Sequence, residues 1–284
     1  MMKLGCSMLG YQFVGWPFWQ ILESIAELGY EGTEIDFGIN PFDAEMRPGA
    51  KYLLQEEKKL RKYLKRLGLE LPSLCIMSRW SGTEEWIEEV KQTLRDVVEL
   101  SRRFGIGTIV VVAGPPAPGM SEEAIWKQVI ENLTWASEYT GKHGIKLAME
   151  VVTTWPIDNM ATFLKAKEAI GENFYANIDP SNYYQSGDDP IDAVKKLKDY
   201  IVSVHVKDAK QYEKTEDGVS AARGYSAMGE GDIDFERLLK TLKEVGYDGW
   251  LHAEYEGFFG GYNPDPVNGS KETIDYIRPI LESL

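Results

Sequence analysis

The chain alternates short apolar runs with longer amphipathic runs along its whole length. The short runs are rich in β-branched and aromatic residues, which is typical of buried strands. In the longer runs, apolar residues recur at three- and four-residue spacing, as on one face of a helix. The pattern predicts strands at 3–8, 32–37, 71–76, 108–113, 146–151, 174–179, 201–207 and 249–255. It predicts helices at 17–28, 55–67, 84–104, 122–142, 160–170, 190–198, 235–245 and 271–281.

Eight strand–helix units favour a closed (β/α)8 TIM barrel, an α/β fold, over an open doubly wound sheet with fewer strands. Because barrels of roughly 250 residues form one domain, we expect residues 1–284 to be a single barrel domain. In such barrels the catalytic groups lie at the carboxyl ends of the strands and in the loops that follow them.

Composition narrows the choice of partners and compartment. Asp and Glu outnumber Lys and Arg by 45 to 31, giving a net charge of −14, which disfavours nucleic acid and anionic membrane surfaces as partners. The two cysteines, Cys6 and Cys75, are too few for a disulfide framework. A signal-like apolar run is missing from the start of the sequence, so we expect a cytoplasmic protein.

Polar residues occupy one face of several predicted strands. Because side chains alternate between faces and the apolar face must pack on helices, the polar face should point into the barrel. Near the ends of strands five to eight this inward face carries four ionisable residues: Glu150, Asp179, His205 and Glu254. Glu34 and Asp36 face inward on the second strand, where we expect Lys146 to pair with one of them.

Buried charges cost several kcal/mol unless they are paired or bound to a metal. Three carboxylates and one imidazole, meeting at the barrel axis, therefore predict one divalent metal ion. Oxygen-rich ligation favours Mn²⁺, with Mg²⁺, Co²⁺ and Zn²⁺ as alternatives. The competing interpretation is a set of interior salt bridges, with Lys146 and Lys207 neutralising the acids.

The four strand ends also resemble a known family. The fragments are AME at 148–150, NIDPSN at 177–182, HVKD at 205–208 and HAE at 252–254, with GEGDIDF at 229–235. Their order is similar to that in the xylose isomerase-like TIM barrels called sugar phosphate isomerases/epimerases, which include ketose 3-epimerases and inosose dehydratases. The resemblance covers nearly the whole chain.

This resemblance implies roles for individual residues. Glu150, Asp179, His205 and Glu254 would hold the metal, Glu150 and Glu254 would also be the catalytic acid/base pair, and Arg223 would bind substrate. The chain has Asn182 where epimerases of free ketoses carry a substrate-binding His, and Pro156 where they carry a Glu.

We therefore expect a metal-dependent sugar isomerase or epimerase that removes a proton beside a carbonyl and passes through an enediolate. Elimination of a β-hydroxyl by the same residues would make it a dehydratase or lyase of a keto-sugar or inosose. A sugar-binding barrel without activity is the third interpretation.

We expect further contacts with an unphosphorylated sugar or cyclitol from four residues: Asn182, Lys207, Tyr11 and Trp155. The glycine-rich loop at 257–262 is compatible with a lid or with a homo-oligomer contact.

Overall fold

The computed structural model describes residues 2–38, 49–211, 223–257 and 265–284. Eight parallel strands close into a barrel in the order β1-β10-β7-β6-β5-β4-β3-β2. β8 and β9 form a separate antiparallel hairpin, so the eighth barrel strand is β10. The expected TIM barrel is confirmed.

The barrel strands are β1 (Lys3–Ser7), β2 (Gly32–Phe37), β3 (Glu70–Ile76), β4 (Thr108–Val112), β5 (Lys146–Glu150), β6 (Phe174–Ile178), β7 (Ile201–Val206) and β10 (Trp250–Ala253). The hairpin strands are β8 (Asp208–Gln211) and β9 (Arg223–Ser226). The described helices are α1 (Leu9–Phe13), α2 (Phe18–Glu27), α3 (Ala50–Gln55), α4 (Glu57–Leu67), α5 (Glu84–Phe104), α6 (Glu122–Lys142), α7 (Met160–Ile170), α8 (Pro180–Ser186), α9 (Pro190–Leu197), α10 (Phe235–Glu244) and α11 (Pro266–Ser283).

Local sequence signals fix where the long helices begin and end. α5 and α6 begin after Thr83 and Ser121, whose hydroxyls accept from backbone N–H groups of the first turn. α4 and α5 end at Gly68 and Gly105, whose φ values of 69° and 72° lie in the left-handed region. Glycine adopts this conformation without a steric penalty from Cβ, so these helices stop where the next strand must start.

The main hydrophobic core lies between the barrel and its ring of helices. On β7, for example, Val204 and Val206 belong to this layer, as does Ile178 on β6. The residues between them along each strand point the other way, into the barrel. A small apolar cluster of Cys75, Val110 and Ala148 is separate from the main core. The structure thus has both faces that the sequence predicts, an apolar face toward the helices and a polar face toward the barrel interior.

Four features differ from the sequence prediction. The hairpin β8–β9 and the short helices α1, α3 and α8 are additional, and the last helix begins at Pro266 rather than at 271. The pairing of Lys146 with Glu34 or Asp36 is wrong, because Lys146 is exposed at the first position of β5, where its Nζ lies 5.3 Å from the ring centre of Tyr175. In the part of the chain that the structure describes, no helix is long and apolar enough to cross a membrane.

Candidate metal centre

Four strands deliver the four predicted ligands to one point at the carboxyl end of the barrel. Glu150 is the last residue of β5, and Asp179 and Glu254 each follow the last residue of β6 and β10. His205 is the next-to-last residue of β7. One ligand atom from each of these four residues lies within 4.8 Å of the other three. All four side chains are buried.

Two asparagines hold the carboxylate of Glu150. Asn182 Nδ2 donates to Glu150 Oε1 at 2.8 Å, and Asn177 Nδ2 donates to Glu150 Oε2 at 3.0 Å. Asn177 lies opposite Glu150 in the β5–β6 register, so the sheet itself sets this contact. Asn182, a predicted substrate-binding residue, therefore lies directly beside the cluster.

Asp179 presents one oxygen to the backbone and the other to the cluster. Its Oδ1 caps α8 by accepting from the backbone N–H groups of Ser181 and Asn182 and from the Ser181 hydroxyl. Its Oδ2 lies 2.9 Å from Lys207 Nζ. The sequence contains the signal for this cap, because Pro180 follows at the first helical position, where proline is favoured.

His205 spans the interior of the barrel with its two ring nitrogens. Nδ1 lies 3.0 Å from Glu150 Oε2 and 3.5 Å from Glu254 Oε2. Nε2 lies 2.9 Å from Glu34 Oε1 on β2. The imidazole thus faces the cluster with one nitrogen and a deeper carboxylate with the other.

Lys207 supplies a positive charge inside the cluster. Its Nζ lies 2.5 Å from Glu254 Oε2, 2.6 Å from Glu256 Oε2 and 2.9 Å from Asp179 Oδ2. The salt-bridge interpretation is therefore realised for Lys207, although not for Lys146. Sequence reasoning missed Glu256, but the signal was present, because the inward alternation of His252 and Glu254 continues for one more step beyond the strand.

The two candidate acid/base carboxyls have opposite electrostatic environments. Burial, together with the negative charges of Glu254 and Asp179, raises the pKa of Glu150 to about 8, against the opposing effect of His205. Burial also acts to raise the pKa of Glu254, but the positive charges of Lys207 and His205 outweigh it and hold that pKa well below its usual range. Two carboxyls whose pKa values are driven apart are the usual arrangement for an acid and a base.

The hairpin β8–β9 covers one side of the cluster. Lys207 Nζ lies 4.6 Å from the ring centre of Tyr225 on β9, and the Tyr225 hydroxyl donates to Asn182 Oδ1 at 3.1 Å. Asp208, at the start of β8, accepts from the backbone N–H groups of Gly229 and Gly231, each at 2.9 Å. A Cβ at Gly231 would lie 1.9 Å from Asp208 Oδ1, so the close approach requires glycine. The fragments at 205–208 and 229–235 therefore contact each other.

The chemistry of this donor set fits a divalent ion. A hard cation takes carboxylate oxygens at about 2.1 Å, so two opposite ligands in an octahedron are about 4.2 Å apart. The four ligand atoms all lie within 4.8 Å of one another, so one ion could be held among them. Asp179 and Glu254 would have to exchange their contacts with Lys207 for contacts with the ion, while Glu256 can keep the ammonium group.

The other predicted substrate residues have different surroundings. Tyr11 is fully buried and packs edge-on against Trp16, with 5.6 Å between ring centres. Trp155 is half-buried and, together with Trp126, lines a cavity of about 590 Å³. Arg223 begins β9, and its side chain lies outside the described part of the structure. Of the loop at 257–262, only Gly257 is among the described residues.

Comparison with known proteins identifies the family. The family model described as "Xylose isomerase-like TIM barrel" matches residues 22–280. The chain belongs to this family. An inosose dehydratase of Clostridium perfringens is 28% identical over 270 residues, which cover 84% of this chain and 82% of that protein.

Solved structures of other proteins share the fold. The 3-keto-D-glucoside 4-epimerase YcjR of Escherichia coli has a TM-score of 0.73 at 18% identity. The match covers 98% of this chain and 100% of that one. A xylose isomerase-like TIM barrel protein of Mycobacterium smegmatis, solved in complex with magnesium, has a TM-score of 0.76 at 18% identity. The match covers 100% of this chain and 97% of that one. Dehydratases and epimerases are thus both found among the proteins that this chain is similar to.

Proposed function

We propose that this protein is a metal-dependent carbohydrate isomerase or epimerase that removes and returns a proton beside a carbonyl group. The observation that carries the proposal is the convergence of Glu150, Asp179, His205 and Glu254 within 4.8 Å at the catalytic end of the barrel. One divalent ion would be held there, either Mn²⁺, as the sequence predicts, or Mg²⁺, Co²⁺ or Zn²⁺. A small sugar or cyclitol is the proposed substrate.

Glu254 and Glu150 are the proposed base and acid. A divalent ion stabilises the negative charge of an enediolate, which makes a neighbouring C–H acidic enough for a carboxylate to deprotonate. Glu254 lies beside Lys207, which favours its ionised form as the base, while Glu150 lies across the cluster and is the proposed partner that returns the proton. Return of a proton to the opposite face of the same carbon gives an epimer, and return to the adjacent carbon gives an aldose–ketose isomer.

Positions in the fold support the proposed substrate contacts. Asn182 lies against Glu150, and Lys207 carries a positive charge within the same cluster, so both are within reach of a ligand at the centre. Arg223 and Trp155 belong to the catalytic end through β9 and the loop after β5. Tyr11 is the weakest of these candidates, since a substrate would reach it only after its neighbours moved.

Dehydration is the second candidate, and it is favoured by the similarity to inosose dehydratases. The same base would remove the proton beside the carbonyl. A hydroxyl on the next carbon would then leave, with its departure assisted by a protonated carboxyl such as Glu150. A barrel that binds sugar without turnover is the least favoured candidate, because binding alone does not require three buried carboxylates around one imidazole.

Product analysis separates these candidates. Metal-reconstituted protein is incubated in D₂O with ketoses, 3-keto-sugars and inososes, and the products are followed by NMR. Deuterium incorporation with an intact carbon and oxygen skeleton supports the isomerase or epimerase. An unsaturated or deoxy product would support the dehydratase instead. Binding without deuterium exchange or product formation would support the non-catalytic sugar-binding barrel.

A further inference from the structure

The imidazole of His205 is fixed from both sides. Its Nδ1 faces the cluster, 3.0 Å from Glu150 Oε2, and its Nε2 faces away, 2.9 Å from Glu34 Oε1. Both His205 and Glu34 are 0% exposed, so solvent does not compete for this contact. Glu34 therefore touches a proposed metal ligand on the side opposite to the metal.

Glu34 is itself fixed by the neighbouring strand. The Ser73 hydroxyl donates to Glu34 Oε2 at 2.6 Å, and the two residues are partners in the β2–β3 register. One carboxylate oxygen is thus bound to serine and the other to histidine. Since Lys146 is exposed at the start of β5, the partner of Glu34 is the imidazole rather than a lysine.

We propose that Glu34 is a positioning residue that sets which nitrogen of His205 binds the metal. A carboxylate can only accept, so in the neutral imidazole that binds a metal the proton stays on Nε2, and the lone pair of Nδ1 is available to the ion. A carboxylate behind a ligating histidine also orients the ring and increases its basicity. Ser73 keeps the carboxylate in place. This inference rests on the metal centre of the proposed function, but not on the reaction catalysed there.

Metal affinity tests the role without reference to turnover. Mn²⁺ and Co²⁺ are titrated into the wild-type protein, Glu34→Gln and Ser73→Ala by calorimetry. Loss of such a partner typically weakens metal binding by about 10- to 100-fold, and we expect this of Glu34→Gln with the stoichiometry unchanged. Ser73→Ala, which keeps the carboxylate but frees one oxygen, should have a smaller effect in the same direction.

A double-mutant cycle distinguishes positioning from a general effect on the fold. His205→Ala removes the ring through which Glu34 is proposed to act. In that background Glu34→Gln should change the remaining metal affinity by less than about twofold, because coupled residues are non-additive. The absorption spectrum of bound Co²⁺ should differ between wild type and Glu34→Gln, since the histidine ligand is reoriented. Circular dichroism of each variant is the control that tests whether the barrel is retained.

Three results would overturn the inference. Glu34→Gln with wild-type affinity would show that the contact does not affect the ligand. An equal loss of affinity in the presence and absence of His205 would show a merely structural effect. Two ions in wild type and one in Glu34→Gln would make Glu34 a ligand itself, since it also forms a close group with His205 and His252. Wild-type protein that binds no metal would remove the metal centre of the proposed function as well, whereas the first two results leave that centre intact.

Discussion

The two faces of β7 differ sharply although they alternate residue by residue. Val204 and Val206 face the helices and belong to the main hydrophobic core. His205, and Lys207 directly after the strand, face the barrel interior, where they contact five carboxylates between them, those of Glu34, Glu150, Asp179, Glu254 and Glu256. Both faces are buried, but one is held by packing and the other by charge pairing.

This difference separates stability from function. Burial of the outer face is favourable by itself, at about 25 cal/mol per Å² of apolar surface. Burial of the inner face is unfavourable unless every charge keeps its partner. Substitutions on the outer face should therefore reduce the free energy of unfolding through lost packing, while those at the proposed metal ligands should in addition affect metal binding and turnover.

The largest effect is expected for Glu254→Gln. It removes the proposed base and a metal ligand together, so we expect kcat to fall by about 10⁴-fold, equivalent to ~5.4 kcal/mol. The barrel should remain folded by circular dichroism. Glu244→Gln, at the exposed end of α10, is the matched control and should keep normal turnover. Substantial turnover by Glu254→Gln would exclude the acid/base pair.

On the outer face, Phe174→Ala should reduce the free energy of unfolding by about 3–5 kcal/mol. Phe174 is fully buried on β6 and stacks on Phe163, with 5.7 Å between ring centres. Leu164→Ala on the exposed side of α7 is the control and should change stability by less than about 0.5 kcal/mol. Urea unfolding measures both. A normal unfolding free energy for Phe174→Ala would contradict the packing role of this face.

Metal binding should stabilise the protein through the inner face. At a concentration of about 100 times Kd, an ion that binds only the folded state adds about 2.7 kcal/mol. We expect Tm to rise with Mn²⁺ and to return to its starting value with EDTA. Asp179→Asn should abolish this rise. An equal rise in wild type and Asp179→Asn would place the ion elsewhere.

Deeper in the barrel, His252 should make the protein sensitive to acid. Burial lowers the pKa of His252 to about 4, from an unfolded value of about 6.5. Below pH 6.5 the unfolded state therefore binds a proton that the folded state does not, and stability is lost as pH falls toward 4. Between pH 7 and pH 5 the loss from this group is about 2 kcal/mol.

His252→Gln, which does not titrate, should reduce this loss when unfolding is measured across the same pH range. His143→Gln is the control, because His143 is exposed at the end of α6. If both variants keep the wild-type dependence on pH, the ring of His252 does not supply the effect.

The barrel and its four candidate ligands were predictable because they depend on regular alternation. Each strand is only four to seven residues long, yet near the carboxyl ends of β5, β6, β7 and β10 the inward positions are polar and the outward positions are apolar. This contrast identified the four candidate ligands Glu150, Asp179, His205 and Glu254. The alternation also predicted that Glu34 points into the barrel, but it could not identify the residue that Glu34 contacts. The strands are staggered around the barrel, so Glu34 reaches His205 while Lys146 stays at the other end of its strand.

The loop structures were not predictable in the same way. The strands of the β8–β9 hairpin have four residues each and are eleven residues apart in sequence, too short and too distant for a periodic signal. Asp208 organises the turn after β9 through backbone N–H groups, which no residue pattern encodes. The contacts of Tyr225 with Lys207 and Asn182 follow from that hairpin and were missed with it.

The most direct test of the account is the position of Mn²⁺ in crystals of the metal-loaded protein, located by anomalous scattering. We predict one strong peak per chain, about 2.1 Å from an oxygen of Glu150, Asp179 and Glu254 and from Nδ1 of His205. Lys207 should then have left Asp179 while keeping Glu256. A peak ligated by other residues, or no peak at the cluster under conditions that support turnover, would contradict the central claim.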